Sequence, residues 1–374
     1  MNITHWMLSA SARHLPPAEY IRQLVARLQQ ESFPVSRLVF TLRTMHPEVW
    51  IESVRWDTDQ GAHVLRRDHA FESEPLFQKS PVGRMYMGEQ GFRHRLDDAP
   101  DPASYPILAE LHEAGFTDYL IAPLELAPGF FSYVSCSTRA PGGFSEADLA
   151  LWDALQLPLA ATVAEMSTRT ALASLLTAYL GSHAAAYVQS GHFRRGDGEA
   201  INAVIWFSDL RGFTSFADTH GPAEVIERLN RYFDLVGSAV ETRGGGILKF
   251  IGDGILAVFP VEEGTDGTAA AESALDTARE VLQQASEGSL QLGIGLHLGE
   301  VTFGNVGTSH RLDFTVIGGP VNEAARVEAL CKDVGVPLLV TEPVAELIRQ
   351  DSLVSVGTHR LRGARTPKAL FTLG

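Results

Sequence analysis

The sequence predicts an α+β protein in two domains, the second a mixed sheet with helices packed on it and the first an α/β domain. Three observations lead there. At 374 residues the chain is longer than one ordinary hydrophobic core supports. The polar, glycine-bearing stretch SGHFRRGDGEA, residues 190–200, has no apolar period and reads as a connector. After it, amphipathic helices alternate with short apolar runs paired about glycine turns. The expected division is a first domain over 1–165, a helical linker and connector over 166–196, and a second domain over 197–374.

The elements follow in order. PPAEYIRQLVARLQQ has proline at a helix start and Ile21, Leu24, Val25 and Leu28 at helical spacing. SRLVFTLRTM and EVWIESVRW read as a strand pair, and RHRLDDAPDPASYP as an irregular region that leads through a short helix to two more strands, DYLIAPL and FFSYVSCST. Ser145 caps a helix whose apolar stripe runs to about Leu180, interrupted at Pro158. AVIWFS is short and wholly apolar before its serine, as a central strand covered on both faces should be. Val225, Ile226, Leu229, Tyr232, Phe233, Val236 and Val240 share one face of the next helix, which ends at Gly244 to Gly246. ILKFIGDGILAVF is a hairpin about Gly252-Asp253, because tight turns need positive φ. TAAAESALDTAREVLQQA is a helix, and LQLGIGLHLGEVTFGNVG alternates at period two through Leu298 and then is expected to turn back. FTVIGGPVNEAARVEALCK is a strand, a glycine turn and a helix opened by Pro320; PLLVT, SLVSVG and ALFTL are the last strands.

Charge and composition narrow the function classes. A formal net charge of -15 at pH 7, with no basic patch in the sequence, opposes a nucleic-acid partner. No run of about 18 uncharged apolar residues occurs, and MNITHWMLSASARHLPPAEY lacks the basic start and apolar middle of a signal peptide, so the expectation is a cytoplasmic protein without a membrane partner. Cys136 and Cys331 lie far apart and fit buried, reduced thiols. The thirteen histidines lack zinc-site spacing; His183, His192 and His220 are expected at the surface. No Walker-type G-x-x-x-x-G-K-[ST] motif occurs, and Gly244 to Gly246 is a helix stop.

The chemistry concentrates in two aspartates. WFSDLRGFTSF ends an apolar strand in Asp209, and the hairpin about forty residues on carries Asp253 at its tip. If the hairpin pairs beside that strand, the carboxylates meet at one sheet edge, where like charges repel unless a cation lies between them. Oxygen ligands of this kind call for Mg²⁺ or Mn²⁺, and a pair of such ions serves in-line displacement at phosphorus. Gly212 opens a short helical turn, so the amides of Gly212, Phe213 and Thr214 are placed to cradle a polyphosphate.

FSDLRGFT, KFIGDGILAVF and FTVIGGPVNEAARVE, in this order over about 197–374, resemble the three core motifs of the class III nucleotidyl cyclases. That resemblance implies a palm-type, ferredoxin-like catalytic domain in a head-to-tail homodimer. It implies attack of a ribose 3′-hydroxyl on the α-phosphate of a nucleoside triphosphate, with release of pyrophosphate. Two metal ions would be held by Asp209, Asp253 and the carbonyl of Leu210. Lys249 stands at the adenine-reading position and Thr315 at its partner position, where a subgroup of the family carries Thr; guanylate-type members carry Glu and Cys there. Adenine needs a donor paired with an acceptor, and Thr supplies either. The resemblance assigns Asn322 to the ribose and Arg326 to transition-state charge, and their spacing of four puts both on one helix face. The family's triphosphate-binding lysine falls near Ala364, so Arg365 or Lys368 stands in for it.

The first domain's order of elements resembles a GAF-type sensory domain, with a PAS-like or purely dimerising domain as the other readings. Its effector, a small molecule or a protein, is not specified by any motif. The expectation is therefore an adenylate cyclase acting on ATP as a homodimer with two Mg²⁺ or Mn²⁺ ions per site. The competing readings are a guanylate cyclase, which Lys249 opposes, and a cyclase-shaped module without chemistry, which the joint presence of Asp209, Asp253, Lys249, Asn322 and Arg326 opposes. A diguanylate cyclase signature is absent from FIGDGIL.

Overall fold

The computed structural model describes residues 2–86, 88–97, 105–127, 130–348, 352–363 and 366–374. The chain divides into two compact units, Met1–Ala178 and Tyr179–Gly374.

In the first unit, helix α1 (Pro17–Gln30) precedes strands β1 (Arg37–Arg43), β2 (Val49–Asp57), β3 (Gly61–Asp68) and β4 (Phe92–Arg95). Helix α2 (Pro106–Glu113), strands β5 (Asp118–Ala127) and β6 (Phe130–Thr138) and helix α3 (Glu146–Leu180) follow. The sheet order is β3-β2-β1-β6-β5-β4, with every printed pairing antiparallel. Residues 93–95, expected to be irregular, form β4, and β3 joins the predicted strand pair as a largely exposed edge. One sheet face packs on α1 and α3 through Tyr20, Leu24, Phe40, Val134 and Val163. Asp118, fully buried at the start of β5, accepts from Arg93 Nη2 at 2.7 Å and from the Phe144 amide at 3.0 Å.

Pro158 does not break α3, which continues for 35 residues. Proline removes one amide donor, and the Thr162 hydroxyl donates to the Pro158 carbonyl at 2.9 Å. Beyond Ser167 no residue of this helix is buried, and Leu172 is 58% exposed.

The second unit carries β7 (Gly198–Leu210), α4 (Pro222–Thr242), β8 (Gly246–Ile251), β9 (Gly254–Pro260), α5 (Thr268–Glu287) and β10 (Leu292–Gly307). Then come β11 (Leu312–Ile317), α6 (Gly319–Val334), β12 (Leu338–Thr341), β13 (Leu353–His359) and β14 (Lys368–Leu373). The sheet order is β13-β14-β12-β10-β7-β9-β8, with β11 paired to β10. The sheet is mixed, β10 and β12 being parallel and β7 antiparallel to both its neighbours. With helices packed on that sheet, the class is α+β, as the sequence predicts. AVIWFS is the buried middle of β7, whose first three residues come from the expected connector.

β10 and α4 depart from the sequence expectation. β10 does not turn back after Leu298; it runs on to Gly307, and the turn comes at 308–311. Its second half lacks the alternating leucines but keeps its hydrogen-bonded partners, β7 on one side and β11 on the other. Ile226, placed on the apolar face of α4 by its spacing, is 58% exposed, while Tyr232, Val236 and Val240 are buried as expected.

Candidate active site

β7 enters the site as a buried strand. Ala203, Val204, Ile205 and Trp206 are fully covered, and after Phe207 the strand turns polar at Ser208 and Asp209. The Trp206 indole N–H donates to Ser208 Oγ at 2.9 Å, and Ser208 Oγ lies 2.7 Å from the Tyr232 hydroxyl. This chain of satisfied groups forms a floor directly before Asp209.

Asp209 and Asp253 come together. In the β7–β9 ladder Ser208 pairs with Ile255, so the Gly252-Asp253 tip falls beyond the strand end, next to Asp209. Gly252 takes φ 65° at the tip, a conformation that glycine adopts without strain. The Leu210 amide donates to Asp209 Oδ1 at 3.0 Å. Burial first, then the Asp253 carboxyl within hydrogen-bonding reach, then the charges of Asp253 and Glu328 push Asp209 up to about 7.

Glu328 is the residue that sequence reasoning missed. α6 lies on the bare backbone of β10 at two glycines: a Cβ on Gly295 would stand 2.5 Å from the Glu328 amide nitrogen, and one on Gly293 would collide with the Glu328 carboxylate. Gly293 is the cross-strand partner of Asp209, so α6 delivers a third carboxylate beside the pair. Burial pushes Glu328 up to about 7, with the Arg211 charge opposing and that of Asp253 reinforcing. Arg211 also donates to the Val336 carbonyl. The signal for this approach was GIG in LQLGIGLHLG, two glycines on one strand face, which is where a helix can come close.

The other predicted residues lie apart from this cluster. Lys249 forms an ion pair with Asp313 of β11, and Thr315, two residues on and so on the same strand face, is buried opposite Gly304. A bulge in β8 leaves Leu248 without a partner on β9, so Leu248 packs in the core while Lys249 follows on the same side. Asn322 and Arg326 sit on α6, and among the described residues no hydrogen bond or ion pair engages either side chain. Glu328, two residues beyond Arg326, projects about 200° around the helix from it. α6 therefore presents the acidic cluster and the Asn322–Arg326 pair from opposite faces. Gly212 is left-handed, φ 72°, before a single turn over Phe213–Ala217, and among the described residues no acceptor engages the amides of Gly212, Phe213 and Thr214. Leu210 is buried at the end of β7. Ala364 and Arg365 lie outside the described residues; Lys368 Nζ is 3.1 Å from Glu323 Oε2. His297, buried behind this pair, has Nδ1 2.9 Å from Thr341 Oγ1.

Residues 198–373 match the Adenylate and Guanylate cyclase catalytic domain. An adenylate cyclase of Anabaena cylindrica is 40% identical over 149 residues, covering 38% of this chain and 30% of that protein. An uncharacterized protein of Mycobacterium tuberculosis is 31% identical over 242 residues, covering 62% of this chain and 45% of that protein. The chain thus spans less than half the length of these curated relatives. Among solved structures, a bacterial light-regulated adenylyl cyclase is 24% identical with a TM-score of 0.48, covering 63% of this chain and 68% of that one. The adenylyl cyclase CyaB from P. aeruginosa is 24% identical with a TM-score of 0.41, covering 47% and 95%. With FSDLRGFT, KFIGDGILAVF and FTVIGGPVNEAARVE all inside the matched span, residues 198–373 are a catalytic domain of the adenylate and guanylate cyclase family.

Proposed function

We propose that the chain converts ATP to 3′,5′-cyclic AMP and pyrophosphate. The observation that carries this reading is the meeting of Asp209 and Asp253 at the end of β7, two carboxylates whose repulsion a cation relieves. Their hard oxygens fit Mg²⁺ or Mn²⁺. The two aspartates and the Leu210 carbonyl supply three oxygen ligands, fewer than the roughly six such an ion takes, which leaves coordination positions for triphosphate oxygens. Two such ions, when bound, stabilise the attacking 3′-oxygen and the leaving pyrophosphate.

The remaining roles belong to this chain's side chains. Lys249 and Thr315 read the adenine edge, Lys249 as donor, with Asp313 holding its ammonium in place. Asn322 orients the ribose. Arg326 offers a planar guanidinium, free of other partners among the described residues, to the charge that develops at phosphorus. The amides of residues 212–214 hold phosphate oxygens.

The site is shared between two copies of the chain. Support comes from α6, whose opposite faces carry Glu328 and the Asn322–Arg326 pair; one substrate cannot touch both faces of one helix, whereas a twofold dimer joins the unlike halves of two copies. Ile226, Phe250 and Ile251, all exposed, are the apolar surface such a dimer would cover. Residues 1–165 act as a GAF-like sensory or dimerising domain that shifts how often the halves meet, and the protein works in the cytoplasm.

The test is product analysis with the purified full chain, ATP and GTP supplied separately, in Mg²⁺ and in Mn²⁺. Cyclic AMP is the expected product. Cyclic GMP from GTP with no cyclic AMP from ATP would make the chain a guanylate cyclase, and no cyclic product under any condition would leave a nucleotide-binding module.

A further inference from the structure

The sheet of the first unit has two unlike faces. Leu38, Phe40 and Leu42 of β1 alternate toward the helical core, so Arg37 and Val39 point the other way. That second face is roofed by the segment 69–86 and by α2, and between sheet and roof lies a cavity of about 280 Å³.

Its lining is mostly apolar and aromatic, with Ile51, Phe71, Phe77, Tyr119 and Tyr133, and it includes the Ser53 and Ser135 hydroxyls. The charged group in its floor is Arg37, whose side chain is 16% exposed. The nearest carboxylate, Glu110 Oε1, stands 3.5 Å from Arg37 Nη1 on a side chain that is 64% exposed, which is a rim contact and too long for a hydrogen bond. Among the described residues no hydrogen bond engages the Arg37 guanidinium. Burial, then the neighbouring Arg55 charge, hold Arg37 below the ordinary arginine value, with Glu110 opposing. Arg67, exposed on β3, is the second cation of the lining, and Glu110 its one carboxylate. Two cations against one anion leave a single positive charge, in a chain whose formal charge is -15.

We infer that this cavity is a binding site for a small aromatic monocarboxylate, its carboxylate paired with the Arg37 guanidinium and its ring among Phe71, Phe77 and Tyr119. A planar guanidinium with free donors matches a carboxylate bidentately. A neutral ligand would cover Arg37 and leave its donors unpaired, which costs more than the covered ring gains. A phosphate dianion exceeds the net charge of the lining. A nucleotide exceeds the space, since the cavity falls at the small end of the range of about 300–1,000 Å³ common for ligand pockets. The inference stands on the first unit alone and does not depend on the reaction proposed for residues 198–373.

Calorimetric titration of the full chain with benzoate, phenylacetate and 4-hydroxybenzoate, against benzamide, phenylacetamide and inorganic phosphate, tests it. At least one carboxylate should bind saturably at one per chain, about ten- to a hundredfold tighter than its amide, with no competition from phosphate. Arg37→Gln should weaken that carboxylate by a similar factor and leave the amide unchanged. Ser53→Leu, which fills the cavity from β2 without touching a charge, should abolish binding, and it serves as the variant if Arg37→Gln does not fold. Absence of saturable binding by every carboxylate, equal binding of acid and amide, competition by phosphate, or a folded Ser53→Leu chain that binds as tightly as the parent would each overturn the assignment.

Discussion

Lys249 of β8 and Asp313 of β11 form an ion pair, and Thr315 lies two residues further along the same face of β11. This brings together a donor, an acceptor and a hydroxyl of either kind from two strands that do not pair in the sheet. Lys249→Glu with Thr315→Cys should reverse that pattern and raise the ratio of GTP to ATP use by at least about tenfold, because buried polar groups are then unpaired by adenine. Initial rates on each nucleotide check this, and an unchanged ratio in a folded, active double variant removes both residues from base reading.

Asp209→Ala or Asp253→Ala should cut product formation by about a hundredfold or more, since each removes a ligand from a site that stabilises developing charge. Circular dichroism should show the fold intact, Asp209 standing at the end of β7 and Asp253 in the turn between β8 and β9. Near-normal turnover in either folded variant contradicts the assignment.

Because α6 turns its two sets of residues in opposite directions, inactive halves should complement. Asp209→Ala and Arg326→Ala chains, each inactive alone, should on equal mixing recover up to about a quarter of the parent activity, the fraction of sites that receive both intact halves. Mass spectrometry of the mixture verifies subunit exchange, and no recovery despite exchange argues against a shared site.

The carboxylate cluster makes stability depend on pH in an unusual direction. Asp209 and Glu328 keep their protons up to about 7 when folded, whereas unfolded carboxyls release theirs near about 4. Between these values the folded state binds more protons, so this contribution to stability falls as pH rises. In EDTA, the melting temperature of the parent should decline more steeply over that window than that of Asp209→Asn or Glu328→Gln. Mn²⁺ should raise it more at pH 8 than at pH 5; a response independent of pH would mean the carboxylates do not hold the ion.

Asp118 is fully buried and carries the charge that Arg93 and the Phe144 amide address. Asp118→Ala should destabilise the first unit by about 3 kcal/mol, by leaving the Arg93 guanidinium without its carboxylate, with only the Phe144 carbonyl as acceptor, and the Phe144 amide without its acceptor. Urea unfolding followed by near-UV circular dichroism measures this, and a shift below about 1 kcal/mol would show the pair to be dispensable.

The juxtaposition of Asp209 and Asp253 was legible because both signals are local: an apolar run that stops at a carboxylate, and a Gly-Asp tip within one hairpin. Glu328 was not, because its place depends on two bare positions of a strand about thirty residues away, where α6 settles on backbone. The Lys249–Asp313 pair was hidden by the bulge at Leu248, since strict alternation would send neighbouring side chains to opposite faces. In the first unit β3 went unread because its second half, from Val64 to Asp68, is exposed and so carries no apolar period, and β4 because four residues are too few for one. The second half of β10 shows the reverse case: hydrogen bonds to both neighbours sustain a strand where side-chain pattern gives none.

The floor beneath Asp209 also supplies an optical signal. Of the five tryptophans, Trp6, Trp50, Trp56 and Trp152 lie in the first unit, and Trp206 alone in the second. Its indole N–H is tied to Ser208 and through it to Tyr232, one residue behind the carboxylate. In a chain whose other four tryptophans are replaced by phenylalanine, the emission of Trp206 belongs to the floor of the site, and the arrival of a cation or a nucleotide can be followed in a cuvette without any label.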